Sequence, residues 1–167
     1  MKTLIKIIFA LFITVTVLDP AAAQTKKSDK QAAKAAAIKQ MVESKNFTFE
    51  ANYAHPSYGN MRYLTPGYDV RVVKDTVVSY LPFFGVSYSG AGYSSGDEGI
   101  KFTSTDFTYS EELKKNGLYY VLIKPKDTKN ANQLIFNISP SGTADLTVLS
   151  NNRERMRFSG NIIEKKK

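Results

Sequence analysis

The chain has 167 residues, a formal charge of +8 and no cysteine. That length suits a single domain core, and the lack of cysteine excludes disulfides, thiolate metal sites and a cysteine nucleophile. The one histidine, His55, excludes multi-histidine metal sites, and no cofactor motif is present.

Residues 1–23 read as a secretory signal. Lys2 and Lys6 precede an apolar run from Ile7 to Leu18, Asp19 and Pro20 interrupt it, and Ala21-Ala22-Ala23 offers small residues to a peptidase ahead of Gln24. The run is shorter than the about 20 apolar residues of a membrane span. An exported protein, periplasmic or secreted, is expected.

Residues 24–46 predict a basic helix. Ser28 suits the N-cap, Gln31 completes a capping box, and five alanines between 32 and 37 favour helix. Ile38, Met41 and Val42 share one face, so the last two turns are expected to dock. This segment carries a net +4 and the tail 165–167 adds +3, whereas the body, 47–164, is neutral. A neutral body with basic ends argues against nucleic acid. It leaves two readings of the ends, solubilising tails or a weak contact with an anionic membrane surface.

From Phe47 the apolar period changes to two. Phe47, Phe49 and Ala51 alternate with polar residues, as do Tyr68, Val70 and Val72, then Leu134, Phe136 and Ile138, then Met156, Phe158 and Ile162. Ile100 and Phe102 lead towards Phe107 and Tyr109. Leu118 to Ile123 is apolar on both faces and reads as a central strand covered on both sides. About nine or ten short strands follow from this punctuation, with no helix-length pattern between them. The expected fold is all-β, an antiparallel β-sandwich or barrel over residues 47–164.

Turn chemistry sharpens the pairing. Pro140-Ser141-Gly142 suits a three-residue hairpin loop, which sets Ile138 opposite Ala144, Phe136 opposite Leu146 and Leu134 opposite Val148. A three-residue loop over Asn151 to Arg153, or a bulge, then sets Val148 opposite Met156 and Leu146 opposite Phe158. Gly160 marks a bulge or a close packing point, and Pro82 either ends the strand before it or places that strand at an edge. Ser110 to Lys115 leaves two readings, one helical turn or a long hairpin end before Asn116-Gly117. Gly90 to Gly99 and Pro125 to Gln133 read as loops available for contact.

Tyr80-Leu81-Pro82-Phe83-Phe84-Gly85 is the most distinctive run. With it go Leu64-Thr65, Tyr68-Asp69-Val70, Gly99-Ile100-Lys101-Phe102, and Ser141 to Val148 followed by Arg153 and Gly160. In this order, the residues from about Ile38 to Ile163 resemble the Bacteroidetes family known as domain of unknown function 4251. Val86 departs from the polar or basic residue expected after the run. The resemblance implies a small exported protein of Gram-negative bacteria and supplies no catalytic residues.

Tyr63, Tyr68, Tyr80, Phe84, Tyr88 and Tyr93 make the middle of the chain aromatic-rich. They are the candidate ligand-binding residues, as walls of an aromatic pocket; ordinary cross-strand packing is the competing reading. His55, beside Pro56, lacks the motif of a serine hydrolase. Asp97-Glu98 lacks the spacing of a calcium loop. Arg153, Arg155 and Arg157 alternate, as on one strand face. No catalytic residue and no metal site is assigned. The leading expectation is an exported, non-enzymatic β-domain that binds a small or polymeric ligand or an envelope protein. The alternatives are a hydrolase using a carboxylate pair and a purely structural envelope protein.

Overall fold

Among the described residues, the chain forms ten antiparallel strands preceded by one helix. The computed structural model describes residues 20–88 and 99–164, with side chains from Ser28 onward. The chain divides into two compact units, one up to Lys34 and one from Ala35. In the first, helix α1 starts at Pro20 and continues to Glu43. Ser28 therefore lies inside a helix and does not cap it. Proline is favoured in a first turn, and Ala21 to Ala23 propagate helix well. Met1 to Asp19, the basic start and apolar run of the expected signal, lie outside the described residues.

The second unit contains the end of α1. Ile38 and Val42 are buried there and Met41 packs beside them, the face set by their spacing. Lys45, at a φ of 52°, closes the helix by donating its N–H to the Val42 carbonyl. The strands are β1 (Asn46–His55), β2 (Arg62–Tyr63), β3 (Asp69–Val73), β4 (Thr76–Leu81) and β5 (Ile100–Ser104). After them come β6 (Phe107–Leu113), β7 (Tyr119–Pro125), β8 (Gln133–Ile138), β9 (Thr143–Leu149) and β10 (Met156–Ile163).

The hydrogen-bonded order is β5-β4-β3-β1-β10-β9-β8-β7-β6, with β2 also on β1. Strands β5 and β6 lie at opposite ends of this order, yet only Thr105 and Asp106 join them. That link reaches at most about 11 Å, so the sheet curls until its edges nearly meet. The fold is a nearly closed barrel. The seam is laced from the loop after β7. Thr105 and Asp106 donate their N–H groups to Asp127 Oδ2 at 2.8 and 3.1 Å, and Asn130 Nδ2 donates to the Lys101 carbonyl at 2.6 Å. Ala131 is buried beneath it. This loop, expected as contact surface, holds the seam.

Inward positions fill the barrel. Phe136 meets Phe47 and Phe49 edge to face, with centroids 5.8 and 5.7 Å apart. The β8–β9 hairpin has the expected register, Ile138–Ala144, Phe136–Leu146 and Leu134–Val148, and Gly142 closes it at a φ of 85°. Strands β9 and β10 also keep theirs, Val148–Met156 and Leu146–Phe158. Their connection is wider than the three residues expected, because another segment enters it. Tyr88 donates its N–H to the Asn152 carbonyl, Glu154 donates to the Val86 carbonyl, and Ser87 pairs with Arg153. The arginine row is broken in consequence. Arg157 lies in β10, while Arg153 turns to donate to the Gly99 carbonyl at 3.1 Å and covers Phe83.

Strand β6 continues to Leu113, so the segment after Ser110 is a hairpin end, turned at Gly117 with a φ of 80°. Strand β7 is not covered on both sides. Val121 and Ile123 are buried, whereas Tyr120 and Leu122 on the outer face are half-buried. A barrel has one inside, and the outward apolar side chains are shielded by neighbours, Tyr120 by Lys114 and Leu122 by Ile135 opposite it.

Candidate functional site

One irregularity organises the outer face. Along β1, Phe47, Phe49 and Ala51 point inward, and plain alternation would send Tyr53 and His55 in as well. Instead the register with β10 shifts between Ala51 and Tyr53, making Asn52 an extra residue. A bulge of this kind re-aims the side chains beyond it. Asn52 and Tyr53 both face outward, Ala54 takes the buried position, and His55 lies half-buried on the outside. Gly160 permits this. A Cβ there would stand 1.9 Å from the Glu50 carbonyl oxygen, so only glycine lets β1 and β10 approach so closely.

The bulge puts Tyr53 in line with a polar row. Tyr53 pairs with Ser159, Ser159 with Asp145, and Asp145 with Asn137, across β1, β10, β9 and β8. These four line an open groove of about 380 Å³ with Asn52, Asn161, Thr143, Ser139 and the small floor residues Ala144 and Gly160. Asn161 Nδ2 donates to Asn52 Oδ1 at 3.0 Å. Tyr63, on β2, meets Tyr53 edge to face at 5.5 Å, and the rings are 72% and 38% exposed. Together they form a wall at one end of the row.

His55 Nε2, Ser159 Oγ and Asp145 Oδ1 form a chain, with separations of 2.9 and 2.8 Å. The residue types are those of a serine hydrolase, but the order is not. Ser159 has one hydroxyl proton and gives it to Asp145, so His55 must donate to Ser159. In a catalytic triad the histidine accepts the serine proton and the acid holds the histidine. Here the acid holds the serine directly, the histidine does not take the serine proton, and the chain fixes side chains in place.

The five aromatic candidates among the described residues do not share one site. Tyr68 stacks on Tyr80 at 5.7 Å, and Lys101 covers Tyr80 from the β5 side at 4.6 Å. Tyr80 borders a second outer groove of about 460 Å³ that Asp69, Arg71 and Lys101 also line, and Tyr68 does not line it. Phe84 lies under Arg62 at 4.5 Å, Tyr88 is 67% exposed beside Asn152, and Tyr63 joins Tyr53. Tyr93, Asp97 and Glu98 lie outside the described residues. Interior positions are occupied by fully buried side chains, Phe47, Phe49, Phe136 and Phe158 among them.

Among the described residues, a carboxylate pair lies on the outer face. Glu50 and Asp69 are direct cross-strand partners on β1 and β3. Burial holds the Asp69 carboxyl above its ordinary 3.8, Arg71 at 3.5 Å opposes that shift, and the Glu50 charge adds to it. Asp69 lines the second groove and Glu50 does not. Among the described residues, no three His, Asp or Glu side chains gather as a metal site.

A family model described as a domain of unknown function, DUF4251, matches residues 29–162. The chain belongs to the DUF4251 family. A crystal structure of a DUF4251 family protein from Bacteroides eggerthii is similar in fold, with a TM-score of 0.55 at 18% identity, over 80% of this chain and 91% of that one. No curated protein matches the chain. In this DUF4251 protein the Leu-Pro-Phe-Phe-Gly run has a structural task. Leu81 ends β4, Pro82 stops the ladder, and the chain folds back on Arg153 and Glu154. Val86 accepts that role through its backbone, donating to Glu154 Oε2 at 3.1 Å.

Sequence reasoning passed over Tyr53, Asp145 and Ser159. The signal for two of them was present, since pairing Leu146 with Phe158 also sets Asp145 opposite Ser159. Tyr53 carried no such signal, because its outward aim depends on a bulge set by a strand about a hundred residues away.

Proposed function

We propose that this DUF4251 protein is an exported, non-catalytic binding domain whose ligand lies across the outer face of β1, β10, β9 and β8. Export is supported by the basic start and apolar run before Gln24. The observation that carries the binding reading is the His55–Ser159–Asp145 chain at the edge of the groove. It immobilises polar groups on a rigid sheet with the histidine donating to the serine rather than taking its proton, an arrangement that supports recognition over bond cleavage.

The test is a thermal-shift panel of the purified protein against oligosaccharides, peptides, lipids and divalent ions, repeated with Asp145→Ala. A ligand that binds the native state raises the melting temperature, by about 2.7 kcal/mol of stability at a hundredfold excess over Kd. The expected result is a shift with at least one class that Asp145→Ala removes. Shifts that survive in Asp145→Ala place the ligand elsewhere.

The second reading, a hydrolase, is favoured by one observation, the Glu50–Asp69 pair with its raised carboxyl. Such enzymes place their two acids on either side of the bond cleaved. Glu50 and Asp69 stand side by side on one sheet face, and Arg71 partly neutralises Asp69. Hydrolysis of an aryl glycoside panel that Asp69→Asn abolishes is the result that would establish this reading instead.

A further inference from the structure

Resting on the binding reading above, we propose that the ligand class is an extended, uncharged oligosaccharide, lying across the strands with one sugar ring against Tyr53 and Tyr63. Three features of the groove point to it. First, the groove is open and mixed in character. Asn52, Asn137, Asn161 and Asp145 bring polar groups to it, while Leu118 and Ala144 bring apolar surface, a combination that suits the hydroxyls and C–H faces of a sugar. No lysine or arginine lines it and one carboxylate does, which disfavours phosphate and other anions.

Second, donors and acceptors are interleaved and already oriented. Asp145 Oδ1 accepts from Ser159, while among the described residues Oδ2 has no partner. Asn52 and Asn161 use one amide atom each on one another, which leaves an N–H₂ on the first and an oxygen on the second. The Asn137 amide is exposed with neither side engaged by the described residues. A hydroxyl both donates and accepts, so a run of sugar hydroxyls satisfies this mixture where a single-sign ligand does not.

Third, the aromatic wall stands at one end of the polar row. The ring faces of Tyr53 and Tyr63 are electron-rich, and the C–H face of a pyranose carries partial positive charge. The row from Tyr53 to Asn137 crosses three strand spacings, about 14 Å. One spacing is close to the length of one pyranose unit, so the row spans about three sugars.

The experiment is isothermal titration of the purified protein with cellohexaose, xylohexaose, mannohexaose and chitohexaose, with a hexagalacturonate as the charged control. The expected result is saturable binding of at least one neutral hexamer, weaker for its dimer, and none for the galacturonate. Tyr63→Ala, an exposed position, is expected to weaken binding about tenfold, as Asp145→Asn is. Silence from all four neutral hexamers, or binding unchanged in both Tyr63→Ala and Asp145→Asn, overturns the proposal. If a peptide, lipid or ion instead binds and Asp145→Ala abolishes it, the ligand class fails while the binding face stands.

Discussion

Replacing Gly160 by alanine tests the construction of the site most directly. The added Cβ would stand 1.9 Å from the Glu50 carbonyl oxygen and 2.9 Å from its carbon. An ordinary C···O contact needs about 3.3 Å, so the carbonyl has to retreat by about 1.4 Å. It cannot do so freely. Glu50 is in the ladders to β3 and β10 at once, and the next N–H, that of Ala51, donates to the Tyr68 carbonyl. Loss of about two ladder bonds costs about 0.5–1.5 kcal/mol each, and overpacking adds about 1–3 kcal/mol. We expect Gly160→Ala to cost about 3 kcal/mol, read in thermal unfolding as a fall of about 10 °C in Tm. Amide exchange should localise the loss to β1 and β10. A Tm within about 2 °C of the wild type, with those amides equally protected, would refute the close approach and with it the origin of the Asn52 bulge.

Three further outcomes follow from the same structure. Tyr109 donates its hydroxyl to the Val42 carbonyl at 2.8 Å, so Tyr109→Phe should cost about 1 kcal/mol in urea unfolding. Burial, then the Glu111 charge, raises the Tyr109 pKa well above its ordinary 10.0. The native state keeps a proton that the unfolded chain releases, so stability falls as pH rises through that range, and the wild-type advantage over Tyr109→Phe should shrink on the alkaline side. Asp69 is the acidic counterpart. Its carboxyl is raised above 3.8 by burial, so its contribution is most favourable below that value and declines as pH rises through the raised pKa. Asp69→Asn should lack this decline when the two are compared by unfolding across acid pH. At the seam, the Ser104 hydroxyl and the N–H groups of Thr105 and Asp106 hold the Asp127 carboxyl down at about 2. Its stabilisation is present above 3.8 and lost as pH falls through about 2, and Asp127→Ala should lower Tm at neutral pH with little effect at the acid limit.

Local rules account for much of the fold. The alternation in β1, β3, β8 and β10, the stop at Pro82 and the Gly142 hairpin all follow from side-chain period and turn chemistry. These act over a few residues, which is why the β8–β9 and β9–β10 registers were legible. The same reasoning failed at the start of α1, where nothing before Ser28 stops a helix, and at the β9–β10 connection, which receives residues 86–88.

The aromatic candidates illustrate a different limit. Composition marks Tyr63, Tyr68, Tyr80, Phe84 and Tyr88 equally, yet only Tyr63 lies in the Tyr53 wall, because Tyr68 and Tyr80 stack on each other and Phe84 packs under Arg62. The sequence by itself determined an antiparallel β-domain, the β8–β9 and β9–β10 registers and the inward positions of those strands, since each depends on neighbours within one turn. Tertiary structure alone decided that the sheet curls nearly shut and that β1 lies against β10. That pairing joins the two ends of the domain, forces the bulge opposite Gly160, and turns Tyr53 and His55 out to meet Ser159 and Asp145.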